Sequence, residues 1–287
     1  MCYSSQFKHG SITMSSIDPP ALLRRHTQTV TSISLSTISD IQNILRAAGE
    51  MALARRATAQ FHLKSDMTPF TDIELDMEAL ILPFLRERFP DYQILSEENG
   101  TQGPVKPAVW ALDPIDGTKI FLNGLPTWGV SLGSIVNGRP ALGFFYMPVT
   151  HDFYWGGEGF GAFLNDKPLP VEIEHDLDDP LSFLAIPSNG HRYFEFDYPR
   201  LRCFGSTAAH CCYVAQGAAT GALLRRVNLW DLAGVLPILS QAGVQVEYNS
   251  QGAFSPEPYL NGGKIKEEIL VAREPILAKM RMLIQRK

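Results

Sequence analysis

Cysteine is scarce in the sequence, and its few positions form no recognisable cross-linking or metal-binding pattern. The 287 residues contain four cysteines, Cys2, Cys203, Cys211 and Cys212, and none of them forms a CxxC pair. No histidine stands at a zinc-finger spacing from them. A disulfide framework or a zinc site needs such pairs. The sequence therefore favours unpaired core thiols in a reducing, cytoplasmic compartment.

Long apolar runs and an excess of basic charge are also missing. No stretch approaches the roughly 20 apolar residues that cross a bilayer, so we expect no integral membrane protein. Lys and Arg total 25 against 30 Asp and Glu, a net charge of −5. Surfaces that follow nucleic-acid phosphates normally carry excess positive charge, so we expect no nucleic-acid polymer as partner. A small phosphorylated substrate is compatible with this charge.

The first 36 residues differ from the rest of the chain. They are rich in Ser and Thr, contain one acidic residue, Asp18, and carry Arg24 and Arg25. Organelle transit peptides share this composition. Because residues 1–36 lack a clear amphipathic basic helix, we expect a disordered leader or an overextended start, with Met14 as a later start. Organelle targeting by this segment stays open.

The remaining sequence predicts an α/β protein in two halves. Hydrophobic residues make up 45% and charged residues 19%, which is typical of a globular protein. Residues 37–180 predict an α+β, metal-binding half with an antiparallel-rich sheet. Residues 181–287 predict an α/β half that contributes Asp231 and a substrate loop. Such a mixture favours a layered architecture.

Local patterns predict most of the elements. Helical periodicity begins at Ser39-Asp40, and a second helix follows Thr71, with Pro83 expected to kink or interrupt it. Asn137-Gly138 between two apolar runs predicts a tight hairpin. The further predictions are strands over 92–95, 109–112, 128–136, 141–146, 153–155, 183–186, 201–204, 222–224, 244–246 and 269–272, and helices over 206–216, 230–242 and after 275.

The segment Leu112-Asp-Pro-Ile-Asp-Gly-Thr118 is the most informative in the chain. Asp113 ends an apolar run, and Pro114 biases it towards an extended conformation and makes the chain turn. Asp116 can then point to the same side, and Thr118 adds a hydroxyl. Carboxylate and hydroxyl oxygens are the ligands that Mg²⁺ prefers. The alternative is an ordinary Asp-Pro/Asp-Gly turn with solvated charges.

Two further acidic positions have both a functional and a structural interpretation. Glu97-Glu98 directly follows the apolar pair Ile94-Leu95, and it could be a ligand pair or a solvated loop pair. Asp231 lies in the first turn of an apolar helix, where the helix dipole alone stabilises a negative charge by about 0.3–1 kcal/mol. Brought together, four carboxylates would repel one another unless cations neutralised them.

Five segments together resemble the inositol monophosphatase-like family of metal-dependent, lithium-sensitive phosphatases. They occur in the family's order and span about residues 40–272: Lys64-Ser-Asp-Met-Thr-Pro-Phe-Thr71, Ser96-Glu-Glu98, Leu112-Asp-Pro-Ile-Asp-Gly-Thr118, Gly205-Ser-Thr-Ala-Ala209 and Trp230-Asp-Leu-Ala-Gly234. The resemblance implies the α-β-α-β-α sugar-phosphatase fold, a homodimer, and two or three Mg²⁺ ions, for which Mn²⁺ can substitute.

The resemblance also implies a role for each matching residue. Glu97 and Asp113 would hold a first ion with the carbonyl of Ile115, and Asp113 would bridge to a second ion held by Asp116 and Asp231. The implied catalytic residues are Glu97, Thr118 and Glu74, with Thr118 orienting the attacking water. The implied substrate-binding residues are Asp116, Gly117, Thr118, Gly205, Ser206, Thr207 and Asp231, to which we add Arg225.

The sequence departs from the family at two of these positions. Glu74 stands where the family usually has Asp; it could assist Thr118, or it could cap its helix, since Thr71-Asp-Ile-Glu74 is a capping box. Leu224 stands where inositol-cleaving members usually carry Glu. Arg225 and Arg226 follow it and could contact a second phosphate or carboxylate of the substrate, or only cover the surface.

The hypothesis is a Mg²⁺-dependent phosphomonoesterase that acts on a small phosphorylated alcohol through a metal-activated water. The substrate signals conflict. Thr118-Lys-Ile-Phe121 resembles 3′(2′),5′-bisphosphate nucleotidases, whereas Gly124-Leu-Pro-Thr-Trp-Gly129 resembles histidinol-phosphatases. An alternative of another class is a catalytically silent homologue that binds metal or ligand.

Overall fold

The computed structural model describes residues 33–65, 67–104, 106–173, 176–250 and 252–287. Residues 1–32 of the predicted leader lie outside this part of the chain, and Leu35 already begins the first helix. The helices are α1 Leu35–Arg55, α2 Asp72–Arg88, α3 Thr118–Leu122, α4 Thr207–Gln216, α5 Leu229–Ala233, α6 Leu236–Gln241 and α7 Ile276–Leu283.

Seventeen strands are present in the described residues. They are β1 Phe61–Leu63, β2 Pro69–Thr71, β3 Gln93–Ser96, β4 Gly100–Gln102, β5 Ala108–Asp116, β6 Gly129–Val136, β7 Arg139–Met147, β8 Asp152–Gly157, β9 Gly161–Leu164, β10 Lys167–Pro168, β11 Leu184–Ala185, β12 Phe194–Phe196, β13 Leu201–Arg202, β14 Gly221–Leu224, β15 Gln245–Tyr248, β16 Ile269–Ala272 and β17 Ile284–Arg286.

Two large sheets form the framework. The eight-stranded sheet has the order β10-β9-β8-β7-β6-β5-β3-β4, in which only the β3–β5 pair is parallel. The five-stranded sheet has the order β13-β11-β14-β16-β15, with β11 parallel to both neighbours. The small pairs β1–β2 and β12–β17 are antiparallel. The first sheet uses residues 93–168 and the second uses 184–272; the predicted two-half division stays a prediction.

Helices cover the outer faces and fill the space between the sheets. On the eight-stranded sheet, Tyr146 faces α1, where its hydroxyl donates to Glu50, and the neighbouring Phe145 faces the opposite side. That side packs against α4 and α6. On the five-stranded sheet, α4 contacts β14 and β16, and α6 contacts β15. α7 covers the far face of the five-stranded sheet. This is the expected α-β-α-β-α layering, and the fold prediction is confirmed.

Two helices differ from the expectations. α2 continues through Pro83 without interruption, and this exposed residue lies opposite a buried stripe that includes Ile73, Met77 and Ile81. The alternative expectation, a kink at Pro83, stays a prediction. The single helix expected over 230–242 is two helices, α5 and α6. Pro237 has no N–H and its ring conflicts with the carbonyl four residues earlier, that of Ala233, where α5 ends.

The Asn137-Gly138 hairpin is confirmed. Both residues have positive φ, 50° and 74°, and Val136 pairs with Arg139 across the turn. Two positive φ values in succession define the turn that matches the twist of antiparallel strands. The sequence did not predict the β1–β2 hairpin or the β12–β17 pair.

His210 on α4 supplies a test of the packing next to the Gly205–Thr207 loop. The backbone N–H of Phe204 donates to its Nε2 at 3.0 Å, and burial lowers the pKa of His210 to about 4. The unfolded chain, with an ordinary histidine pKa near 6.5, binds the proton first, so acid destabilises the fold. We expect the unfolding free energy of the wild type to fall by about 3 kcal/mol more than that of His210→Gln between pH 6.5 and 4.

Urea denaturation of the two proteins across this pH range measures the difference, and acidic groups common to both cancel. Parallel pH profiles would show that His210 is protonated as easily in the folded protein as in the unfolded chain.

Candidate metal centre

A bulge at the end of β5 allows Asp113 and Asp116 to face the same side. Residues three apart in a regular strand face opposite sides. The pairing of β5 with β6 shifts register here, because Asp113 lies opposite Ser131 and Asp116 lies opposite Gly129. The one extra residue reverses the alternation. Pro114 lies in this irregular stretch, where its missing N–H interrupts no regular ladder.

Asp113 is buried, and its carboxylate stabilises the backbone turn that follows it. Its Oδ1 accepts a hydrogen bond of 3.0 Å from the N–H of Ile115, and only 2% of the residue is exposed. Burial raises its pKa well above the ordinary value, and the charges of Glu97, Asp116 and Asp231 raise it further. A carboxylate in this position is stabilised by a neighbouring cation.

Glu97 reaches Asp113 because their strands are parallel neighbours. Ser96 at the end of β3 pairs with Leu112 of β5, and the N–H of Glu97 donates to the carbonyl of Leu112 at 3.1 Å. The residues that come next after this pair, Glu97 and Asp113, therefore lie side by side. Strand pairing thus brings together two acidic residues that are 16 positions apart in the sequence.

Asp231 lies on α5, which packs on the face of β5 that carries Val109 and Ala111. Its Oδ2 accepts a hydrogen bond of 2.7 Å from the N–H of Asn228, which fixes it in the first helical turn. α5 packs directly on β6 at Gly133, where an added Cβ would lie 1.9 Å from the carbonyl oxygen of Ala233. Burial raises the pKa of Asp231 well above its ordinary value, and the negative charge of Glu97 raises it further.

Glu97, Asp113 and Asp231 together form an acidic cluster that can hold a divalent cation. One carboxylate oxygen from each residue lies within 4.8 Å of the others. Oxygens on opposite sides of Mg²⁺ lie about 4.2 Å apart, since each Mg–O bond is about 2.1 Å. Three hard oxygen donors at this spacing, two of them with raised pKa values, fit a metal of this class.

Asp116 lies next to this cluster with its oxygens directed at α4. The hydroxyl of Ser206 and the N–H of Ala208, at 2.7 Å, donate to Oδ2, and the N–H of Thr207 donates to Oδ1 at 3.2 Å. Burial raises the pKa of Asp116 to about 6, against the lowering effect of these hydrogen bonds. The expected role of Asp116 in holding a second ion stays a prediction, as does that of the Ile115 carbonyl.

Glu74 combines both of the interpretations that the sequence left open. It completes the capping box, accepting from the N–H of Thr71, while its own N–H donates to the Thr71 hydroxyl at 3.3 Å. Its Oε1 also accepts from the Thr118 hydroxyl at 2.9 Å. Burial raises the pKa of Glu74 to about 8, although the hydrogen bonds from Thr118 and Thr71 oppose this.

The predicted substrate residues divide into two groups. Gly117, with φ of 98°, lies against Ser206, since an added Cβ would be 3.2 Å from that of Ser206. Gly205, Ser206 and Thr207 open α4 beside Asp116. Arg225 lies elsewhere: its guanidinium stacks on Tyr193 at 3.6 Å and its Nε lies 3.4 Å from Glu268.

Leu224 is packed in the core between the sheets. The substrate roles of all these residues stay predictions, and for Arg225 the described contacts give no support.

Sequence reasoning missed two residues that contact the Glu97-Glu98 pair. Lys64, in the β1–β2 turn, places its Nζ 2.9 Å from Glu97 Oε1 and 2.7 Å from Glu98 Oε1. Burial lowers the pKa of Lys64, but the charges and hydrogen bonds of both glutamates outweigh it and raise the pKa. Glu78 of α2 accepts from the N–H of Glu98 at 3.0 Å. The only signal for Glu78 was its helical spacing, one turn after Glu74.

The chain is similar to known proteins over most of its length. The model of the "Inositol monophosphatase family" matches residues 27–280, so the chain belongs to this family of metal-dependent phosphatases. The Nus factor SuhB of Pasteurella multocida is 31% identical over 238 residues, which cover 78% of this chain and 89% of that protein.

A second relative and a solved structure are also similar to this chain. The histidinol-phosphatase of Chlorobaculum parvum is 31% identical over 196 residues, 66% of this chain and 75% of that protein. The structure of an inositol monophosphatase (IMPase) from Thermotoga maritima superposes with a TM-score of 0.75 at 23% identity, covering 87% of this chain and 96% of that one, and shows the common fold. Among the described residues, none of the helices has the length and apolar character of a membrane span.

Proposed function

We propose that the chain is a Mg²⁺-dependent phosphomonoesterase that hydrolyses a small phosphorylated alcohol. The observation that carries this proposal is the convergence of Glu97, Asp113 and Asp231, from three separate segments of a phosphatase-family chain, to oxygens within 4.8 Å of one another. Asp113 is buried and the other two carboxylates are half-buried, so a cation between them would stabilise their charged forms.

The proposed reaction divides among the chain's own residues. When bound, divalent cations would neutralise charge on the phosphoryl group and acidify a water molecule. Glu97, Asp113 and Asp231 would hold the cations, with Asp116 and the Ile115 carbonyl as further ligands. Thr118 accepts the proton of the attacking water at its Oγ1 as its own proton passes to Glu74 Oε1, 2.9 Å away. The main-chain N–H groups of Gly117 and Thr118 orient the phosphate.

Replacing Glu74 with Gln tests the proton transfer. We expect kcat to fall by about 100-fold, because the amide cannot accept the proton from Thr118. Glu74 must be charged to accept the proton, so wild-type kcat should fall as the pH drops below the pKa of Glu74. This pKa is about 8 without metal, and bound cations would lower it. The pH profile of Glu74→Gln should lack this limb.

The exposed Glu87, on the same helix, gives the matched control Glu87→Gln, which should behave as wild type. An unchanged kcat and pH profile in Glu74→Gln would reduce Glu74 to a helix cap.

Histidinol phosphate is a second candidate substrate. It is favoured by the Gly124–Gly129 segment and by Leu224, which is packed in the core where inositol-cleaving members usually carry Glu. Phosphate release from inositol 1-phosphate, adenosine 3′,5′-bisphosphate and histidinol phosphate, with Mg²⁺ or Mn²⁺, decides between the three. No release from a broad panel, despite measurable metal binding, would favour the catalytically silent homologue.

The remaining expectations are carried forward as proposals. They are sensitivity to lithium, two or three ions in the working enzyme, a homodimer, no nucleic-acid polymer or membrane as partner, and a cytoplasmic location. Cys203, Cys211 and Cys212 are unpaired, which supports a reducing compartment. Cys211 and Cys212 are the expected core thiols, but Cys203 is exposed, so that expectation was wrong for it. Sedimentation of the purified chain tests the dimer.

A further inference from the structure

Glu78 is a buried carboxylate that makes no contact with the acidic cluster but accepts three hydrogen bonds from the segment that carries Glu97. It lies on α2, fully removed from solvent. Its Oε2 accepts from the hydroxyl of Ser96 at 3.1 Å and from the side-chain amide of Asn99, and its Oε1 accepts from the N–H of Glu98 at 3.0 Å.

These donors lie immediately before and after Glu97. The N–H of Glu97 itself donates to Leu112 at 3.1 Å. The backbone is therefore fixed on both sides of Glu97, and its carboxylate can move only by rotation of its own side chain. An oxygen of that carboxylate must lie within a few ångströms of those of Asp113 and Asp231 to share one cation.

The side chain of Glu78 offers the turn more hydrogen-bond acceptors than a neutral side chain of the same size would. Burying a carboxylate is unfavourable unless several donors satisfy it. Within the part of the chain that the structure describes, no basic side chain forms an ion pair with Glu78, and Lys64 lies against Glu97 and Glu98 instead. The carboxylate offers what a neutral side chain does not, two oxygens that accept from three donors at once. It also lies one helical turn after Glu74, which holds Thr118.

We propose that Glu78 is a positioning residue for the metal centre: it holds the turn through which Glu97 reaches the cation. α2 would then orient two parts of the site, Thr118 through Glu74 and Glu97 through Glu78. The inference rests on the proposed function, because it assumes that the cluster binds a divalent cation. Residues that orient metal ligands typically change metal affinity by 10–100-fold when replaced.

The test is Mn²⁺ binding by the purified full-length chain and its Glu78→Gln variant, measured by calorimetry. The amide has one accepting oxygen and must leave at least one donor unsatisfied. We expect about a tenfold weaker Kd for Mn²⁺, and about a tenfold higher metal concentration for half-maximal phosphate release. At saturating metal, kcat should return to within about threefold of wild type, which loss of folded protein alone would not produce. Glu87→Gln is the matched control.

A Kd equal to that of wild type in folded Glu78→Gln would overturn the inference and leave the proposed function intact. If wild type itself binds no Mn²⁺, both fail. Should Glu78→Gln not fold, Asn99→Ala removes one of the three donors from the outside of the turn, and a Kd weakened by about threefold is then expected; an unchanged Kd in Asn99→Ala would then overturn the inference.

Discussion

Replacing Asp113 with Asn is expected to abolish phosphate release and, at the same time, to stabilise the metal-free protein at alkaline pH. Loss of a cation ligand that stabilises the transition state by about 4 kcal/mol lowers kcat by about 1,000-fold. Asn is nearly the same shape, and its side-chain oxygen can still accept from the N–H of Ile115. The fold therefore has no reason to fail.

The sign of the stability change follows from the raised pKa of Asp113. Above an ordinary carboxyl pKa near 4 the unfolded chain loses its proton while the folded protein keeps it, so the wild type loses stability as pH rises through that window. Asn cannot ionise and avoids this loss. Without metal, we expect the Tm of Asp113→Asn to match wild type near pH 4 and to exceed it by a few degrees at pH 8.

Added Mg²⁺ should raise the Tm of wild type far more than that of Asp113→Asn, because only the intact cluster binds it tightly. Asp91→Asn, at an exposed position, is the control and should change neither activity nor Tm. Phosphate release by Asp113→Asn at the wild-type rate would contradict the proposed chemistry.

Replacing Gly133 with Ala is expected to damage both stability and metal binding. The new Cβ would meet backbone atoms of α5, the Ala233 oxygen at 1.9 Å and the Gly234 nitrogen at 2.5 Å, and backbone cannot rotate away as a side chain can. α5 must therefore shift, and Asp231 shifts with it. Overpacking of this kind costs about 3 kcal/mol of unfolding free energy, and the Kd for Mn²⁺ should weaken by at least tenfold.

Urea denaturation and Mn²⁺ titration measure the two effects. Gly190→Ala is the matched control, because its nearest neighbour is a side-chain atom, Phe196 Cζ, at 3.3 Å. A Gly133→Ala protein with the stability and metal affinity of wild type would show that close approach of α5 to β6 does not position Asp231.

The parts of the fold that local chemistry specifies were predictable. Asn137-Gly138 requires positive φ at two successive residues, and the hairpin is where it was expected. Acidic residues after the predicted strands 92–95 and 109–112 were expected to converge, and parallel pairing of β3 with β5 brings Glu97 next to Asp113. The signal for the hairpin lies in the turn itself, whereas the expectation that Glu97 and Asp113 share an ion came from the family resemblance.

What could not be predicted depends on contacts between distant segments. The contact of Lys64 with Glu97 joins residues 33 apart, and that of Glu78 with Asn99 depends on how α2 lies against the sheet. The break between α5 and α6 did have a local signal, Pro237, whose effect on the carbonyl of Ala233 was overlooked. Arg225 directly follows β14, and its contact with Tyr193 joins residues 32 positions apart.

A crystal grown with Mn²⁺ and measured for anomalous scattering most directly tests whether the three separate carboxylates share cations. A strong Mn²⁺ peak at coordinating distance from oxygens of Glu97, Asp113 and Asp231 is the predicted result. Full Mn²⁺ saturation of the solution with no peak among these three residues would contradict it.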